Sequence, residues 1–444
     1  MKVDGIEIKN YKGFEDCVVN FHPNMNVFIG SNASGKTTLL TAILKSLGTI
    51  PYQILGQYNE IFALKNEDIN YKENYASLMT HISNFDDSRV KFKTFINIGA
   101  GQNLKIPETI QQQFYTVINS FNNNIGVSPQ TIPIIKFYPA NRGSITYSEV
   151  YNNNVFKISQ LETWSNIYQD TLSYSKFFHW FFENETDELR LQRDFKDFNA
   201  QSPALRDVRT ALQLAFDELG YGDYSILSKQ IKRAGNSKLL PSLFLKNKST
   251  GKEENIDSKS EGEKAIITLI ADIAYNLSIA KNFLIDNDFL KSPGIVMIDE
   301  IETHLHPKWQ REILPILSKL FPNIQFFIAT HSPQIVASVK SESVFICDNF
   351  NVEKVPFKTF GEDSNSILNE IFNTTDRPIP YIKLIQKFDD LIDNDASINE
   401  LEIILKEISV LYQKDSGTSI SNLMDDLSIR LSAYKFEKDY EKDL

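Results

Sequence analysis

The sequence predicts an α/β protein built on a parallel-containing sheet, with a helical segment inserted in its middle and a helical C-terminal region. Three observations carry this. Short apolar strands alternate with helical patterns in the outer thirds of the chain. A glycine-bounded loop, "GSNASGKTT" at residues 30–38, joins a strand to a helix. Between the outer thirds, residues 150–220 place aromatic and apolar side chains at helical spacing.

In order, "VDGIEIKNYKGFEDCVVNFHPNMNVFIG" reads as strands near 2–9, 15–21 and 25–30, because apolar residues alternate there and polar turns interrupt them. "KTTLLTAILKSL" then continues with helical spacing. Further strands are expected at "RVKFKTFINIG" and "IPIIKFYPA", and the Asn/Gln-rich stretches around "QQQ" and "NNN" read as loops. The segment 150–238 is read as a helical insertion. A strand at "PSLFLKN", a Gly/Lys turn and a helix from Glu261 follow. The apolar run at 294–298 is expected to lie beside the strand that precedes the glycine loop. After it come a helix at about 307–320 and strands at "IQFFIA" and "ESVFICD". The chain thus divides into 1–149, 150–238, 239–360 and an acidic helical 361–444.

A chain of 444 residues suits two or three structural units. Its 42% hydrophobic and 23% charged content is that of a soluble globular protein. No apolar run approaches the roughly 20 residues of a membrane span. "MKVDGIEIKN" has no signal-peptide core, so a cytoplasmic location and no membrane partner are expected. Two distant cysteines, Cys17 and Cys347, fit reduced structural thiols rather than a disulfide framework or zinc site. The net charge is −11, and residues 361–444, with 18 acidic and 9 basic side chains, carry −9 of it. That balance does not advertise nucleic-acid binding, although local basic patches could provide it. The acidic end reads as a solvated helical surface or a docking face for a basic partner.

The loop matches G-x-x-x-x-G-K-[ST] in its required context. Gly30, Asn32, Ser34, Gly35, Lys36, Thr37 and Thr38 are the expected nucleotide-binding set. Glycines let backbone N–H groups wrap a phosphate chain, Lys36 reaches the outer phosphates, and the Thr37 hydroxyl ligates Mg2+. Asp299 and Glu300 end a nearly uncharged strand, where an unpaired charge is expensive. A magnesium-bound nucleotide resolves this, with Asp299 on the metal and Glu300 polarising the attacking water. In "SEGEK", Ser260 and Glu263 have capping-box spacing, and the same helix terminus is an anion site that could face a γ-phosphate held by another subunit. The two readings are compatible. His331, in "FFIATHSPQIV", is either structural or placed to reach a γ-phosphate.

Ordered together, the phosphate loop, "SEGEK", "MIDEIETHLHP" and "ATHSP" resemble the ABC-type ATPase head of RecF, SMC proteins and the overcoming-lysogenization-defect family. The resemblance implies a P-loop NTPase head with a mixed sheet flanked by helices. It implies Lys36 and Thr37 in the Walker A motif, Ser260, Gly262 and Glu263 in the signature, Asp299 and Glu300 in the Walker B motif, and His331 as switch histidine. It also implies ATP and Mg2+ held between two subunits, each site completed by the other's signature, hence a homodimer or higher homo-oligomer. It covers residues 1–50 and 240–350.

Lys36 lies 224 residues before Ser260, farther than in compact transporter heads, and the chain has neither a C-x-x-C hook nor a heptad arm. "SESVFICDNFNVEKVPF" reads as a strand pair, not as the acidic metal-binding constellation of the overcoming-lysogenization-defect nucleases. What remains is similar to stand-alone ATPases of bacterial anti-phage systems, the Septu ATPase subunit and its retron relatives. "FYPANRGS" and "FGEDSNSILNEIFNTTDRP" resemble segments of that group. The implied function is to regulate an effector nuclease, with an HNH endonuclease or retron components as partner. Arg142 either reaches nucleotide or partner or is structural, and Lys12 sits where related heads place a basic residue near phosphates. Two other readings stay open: a RecF-like DNA-repair or DNA-sensing ATPase, binding nucleic acid directly or through a partner, and an ATPase with its own nuclease or toxin activity.

Overall fold

Three strands open the chain where the alternation places them: β1 (Lys2–Tyr11), β2 (Phe14–Asn20) and β3 (Met25–Ile29). β2 alternates buried and open positions from Cys17 to Asn20 and pairs antiparallel with β1, whereas β3 is buried at every position. A strand covered on one face alternates, and one covered on both faces does not. In this computed structural model the described residues are 1–55, 63–83, 89–97, 101–105, 133–140, 174–232, 239–280, 289–372, 379–394, 396–411 and 418–442.

β1 and β2 join β4 (Tyr75–Ser83), β5 (Arg89–Asn97) and β6 (Gly101–Lys105) in an antiparallel sheet ordered β2-β1-β4-β5-β6. After β7 (Ile134–Tyr138) comes a second sheet, of β8 (Tyr224–Lys232), β9 (Leu239–Asn247) and β10 (Glu253–Asn255). The third contains β3, β7, β11 (Gly294–Ile298), β12 (Ile324–Thr330), β13 (Val344–Asp348) and β14 (Asn351–Lys354). Its order is β14-β13-β3-β12-β11-β7, parallel except for the β13–β14 hairpin.

One expectation is corrected here. β11 does not neighbour β3, because β12 lies between them, pairing Phe326 with Met25 on one side and Ile324 with Gly294 on the other. β3, β11 and β12 are all buried at every position, so hydropathy alone could not rank them across the sheet.

Helix α1 (Lys36–Leu55) buries Leu39, Leu40, Ile43, Leu44 and Leu47, residues at helical spacing. They share one core with Ile6 and Ile8 of β1 and with Phe28, Met297, Phe327 and Phe345 of the parallel sheet, so the main core lies where the two sheets and α1 meet. Burial pushes both thiols up, Cys347 to about 12, so Cys17 and Cys347 are protonated at neutral pH.

The middle contains α2 (Tyr174–Phe195) and α3 (Pro203–Glu218). The Arg209 guanidinium of α3 binds Glu185 and Glu188 of α2, each at 2.7 Å, and Glu185 also accepts the Ser228 N–H of β8 at 2.8 Å. β8 corrects the reading of 150–238 as helical: the boundary at 238 cuts a hairpin, since β8 pairs with β9 from Tyr224–Asn247 to Lys232–Leu239. "YSILSKQIK" has weak strand character of its own, and its state is decided by β9. Residues 141–173, which include Arg142 and the start of the helical reading, lie outside the described residues.

α4 (Glu261–Ala280) and α5 (Pro307–Leu320) begin at the residues expected. α6 (Ser364–Phe372) crosses the boundary between two compact units, Met1–Ile367 and Leu368–Leu444. Within the second unit, α7 (Ile379–Asp393), α8 (Ile398–Leu411) and α9 (Thr418–Lys442) bury Phe388, Leu401, Ile404, Ile408, Leu427 and Leu431 against one another. Among the described residues, no helix is long and apolar enough to cross a membrane.

Candidate nucleotide site

β3 runs straight into the glycine loop, and α1 begins at Lys36. A Cβ on Gly30 would lie 2.1 Å from the Cys347 carbonyl oxygen of β13, so the loop is packed flush on that strand. Gly35 has φ +108°, a conformation side-chain-bearing residues rarely adopt. Phe350, in the β13–β14 turn, braces the loop: its N–H donates to the Ser34 carbonyl at 3.0 Å, and its ring meets Phe14 edge-on at 5.3 Å. Nothing in the sequence singled out Phe350, since a turn aromatic carries no motif.

Lys36 is only 5% exposed. Its Nζ donates to the carbonyls of Gly30 at 3.0 Å and Ser31 at 2.8 Å and to Ser34 Oγ at 3.4 Å. Burial pushes its ammonium down, and the charges of Asp299, Glu302 and Glu300 push the other way. A buried cation held by neutral oxygens, in a loop too tight for a Cβ, is matched to a polyanionic phosphate chain.

Thr37 Oγ1 donates to Asp299 Oδ2 at 2.9 Å, closing a gap of 262 residues in sequence. The hydroxyl and carboxylate assigned to magnesium are therefore brought together, and hard oxygen donors of this kind suit that ion. Asp299, 4% exposed, donates its N–H to the Tyr138 carbonyl at 2.8 Å. The Tyr138 hydroxyl in turn donates to Asp272 Oδ2 of α4 at 2.7 Å. "FYPANRGS" thus contributes Tyr138, which joins the end of β11 to the helix that starts at "SEGEK".

Glu300 occupies the left-handed region, φ 48°, and accepts from Thr303 Oγ1 at 3.3 Å. His331, at the end of β12, has a backbone hydrogen bond at Gly30, so its ring lies against the phosphate loop. Burial and the Lys36 charge push the imidazole below its ordinary value, which keeps it neutral at pH 7. Its own N–H donates to Glu302 Oε1 at 2.5 Å, and Thr330 Oγ1 donates to Glu302 Oε2 at 2.8 Å. Glu302 was not foreseen, because two residues past "DE" it looks like one more acid of a polar turn.

The signature residues form a second cluster. Ser260 caps α4: its N–H and Oγ donate to Glu263 Oε2 at 2.9 and 2.8 Å, and Glu263 N–H returns a bond to Ser260 Oγ at 3.3 Å. Tyr221 OH donates to Glu263 Oε1 at 2.7 Å, so that carboxylate, expected as a nucleotide contact, is engaged within its own chain. A Cβ on Gly262 would lie 2.3 Å from the His304 carbonyl oxygen, so the start of α4 packs on the segment that follows Glu300. Ser260 opens onto a cavity of about 780 Å³ lined also by Tyr221, His304, His306, Lys308 and Trp309.

Gly30, Ser34, Gly35, Lys36, Thr37, Asp299 and His331 therefore converge at the strand ends. Asn32 is exposed at the loop tip, and the half-buried Thr38 accepts from Thr41 Oγ1 through its carbonyl at 2.9 Å. Lys12 forms an ion pair with Asp68 at 3.7 Å, and its backbone N–H donates to the Asp68 carbonyl at 2.7 Å.

A family model described as "AAA domain, putative AbiEii toxin, Type IV TA system" matches residues 25–337. "Retron Ec83 probable ATPase" of Escherichia coli is 26% identical to this chain across 100% of the chain and 89% of that relative. "Septu protein PtuA" of Bacillus mycoides (strain KBAB4) is 34% identical over 137 residues, 27% of this chain and 18% of that protein. Among solved structures, an SMC head bound to the C-winged helix domain of ScpA aligns with TM-score 0.46 and 14% identity, over 81% of this chain and 98% of the other. The retron and Septu similarities meet the resemblance read from the motifs.

Proposed function

The chain belongs to this AAA-domain family, and from that premise we propose that it is an ABC-type ATPase that binds ATP with Mg2+ between two heads and regulates an associated effector nuclease. One observation carries the reading: the buried Lys36 ammonium and the 2.9 Å contact of Thr37 with Asp299 converge on one loop. Lys36 and the loop N–H groups bind the outer phosphates. Thr37 and Asp299 hold magnesium, which when bound offsets phosphate charge. Glu300 takes the proton of the attacking water, and the His331 imidazole, held at Gly30, lies beside the position of the γ-phosphate. Ser260 and Gly262 face the nucleotide of the second copy. The support for this last role is that Ser260 opens onto a cavity while the Thr37–Asp299 pair belongs to the other cluster.

Ser260 allows a test that separates capping from catalysis. Asn caps a helix about as well as Ser, whereas Ala forfeits about 1 kcal/mol. Ser260→Asn is therefore expected to keep the wild-type melting temperature and still lose turnover. Full turnover in a Ser260→Asn chain would assign the residue to capping alone.

The effector is proposed to be an HNH endonuclease or a retron component, docked on the acidic second unit. The support is that Leu368–Leu444 is compact by itself and has its own core. Deleting residues 379–444 should abolish co-purification of the partner and leave ATP affinity unchanged by calorimetry. Retained partner binding would remove the docking role.

A further inference from the structure

We propose that Glu302 is a positioning residue of the hydrolytic site, clamping the end of β12 so that the His331 imidazole stays against the phosphate loop. This rests on the ATPase reading above. The two oxygens of Glu302 are divided between two adjacent donors, Oε1 taking the His331 N–H at 2.5 Å and Oε2 the Thr330 hydroxyl at 2.8 Å. A carboxylate that accepts two hydrogen bonds from neighbouring residues fixes the orientation of that peptide, and bonds to an ionised acceptor are the strong ones. The rest of the turn is held in the same direction. Ser332 N–H donates to Thr330 Oγ1 at 2.9 Å, and Ser332 Oγ donates to Gln310 Oε1 at 2.7 Å.

The clamp joins two segments that must be in register for chemistry. Glu302 leaves the same loop as Asp299 and Glu300, and Ile301 N–H reaches the Ala329 carbonyl at 3.4 Å, so the two strand ends are stitched at successive residues. His331 has its backbone bond at Gly30 on the other side. Without the clamp, the histidine keeps its bond at Gly30 but its own peptide is no longer tied to the Glu302 loop, and displacement of a reacting group by about 1 Å can cost on the order of 100-fold in rate. Glu302 needs no contact with nucleotide for this, which distinguishes it from Glu300.

The test is a double-mutant cycle on ATP hydrolysis by the full chain, with ATP affinity and melting temperature measured for each variant. Glu302→Gln is expected to lower kcat by about 100-fold with KM unchanged. In a His331→Ala chain the same substitution should produce no further loss, since a residue that acts through His331 has nothing left to position. Glu302→Asp, which keeps the charge on a shorter arm, stands in if the amide variant does not fold, with the same non-additivity expected. Wild-type turnover in the Glu302 variant, or losses that simply multiply, would overturn the clamp. No hydrolysis by the wild-type chain would instead overturn the ATPase reading, and the clamp with it.

Discussion

Glu300→Gln is expected to lower ATP turnover by about 10²- to 10⁴-fold, the usual contribution of a positioned general base, while ATP binding persists. The amide keeps the shape of the carboxylate and can still accept from Thr303 Oγ1, which lies 3.3 Å from Glu300 Oε2. The turn at φ 48° is thus retained, and only the proton-accepting capacity is removed. Lys36 keeps its place in the loop, so the substituted chain should hold ATP unhydrolysed. A head-to-head dimer would then accumulate, visible by light scattering with ATP and absent without it. Unaltered turnover would remove Glu300 from the role of base. A variant that traps ATP yet stays monomeric would leave hydrolysis within one subunit and refute the shared site.

Gly30→Ala is expected to abolish measurable ATP binding and to lower stability by about 1 to 3 kcal/mol, the usual cost of overpacking. The added methyl would sit 2.1 Å from the Cys347 carbonyl oxygen and 2.8 Å from Ser34 Oγ. One of these neighbours is strand backbone that cannot move aside, so the loop must lift off β13. Lys36→Ala provides the contrast. It adds no atom against β13 and should weaken ATP binding by about 10- to 100-fold, as expected for loss of a charge-assisted contact of about 1.5 to 3 kcal/mol. Calorimetry and thermal melting together separate the two variants. If Gly30→Ala melted and bound ATP like the wild type, the close packing of the loop on β13 would carry no functional weight.

Much of the fold was legible because its elements follow local rules. The three opening strands, α4 from Glu261, α5 at Pro307–Leu320 and the hairpin after residue 343 occur where alternation, helical spacing and capping put them. Three strands, β4, β6 and β10, stand beyond those the sequence predicts, and two departures concern partners: the strand state of β8 depends on β9, and equally apolar strands give no order that would separate β11 from β3. The retained motifs had a similar limit. Ser260 and Glu263 were readable as a capping box, and they form one, but the Tyr221 bond that occupies Glu263 could not be read from a residue 42 positions away.

The sequence by itself determined the glycine loop between strand and helix, the pair Asp299 and Glu300 at a buried strand end, and the family kinship, because each is a short run whose chemistry lies in adjacent residues. Tertiary structure alone decided which distant groups support them: Phe350 under the loop, Tyr138 between Asp299 and Asp272, and Glu302 behind His331. The physical reason is range. Backbone propensity and motif spacing act over a few residues, whereas a hydrogen bond or a packed ring depends on the order of strands in a sheet, and that order is set by the competition of all of them for one core.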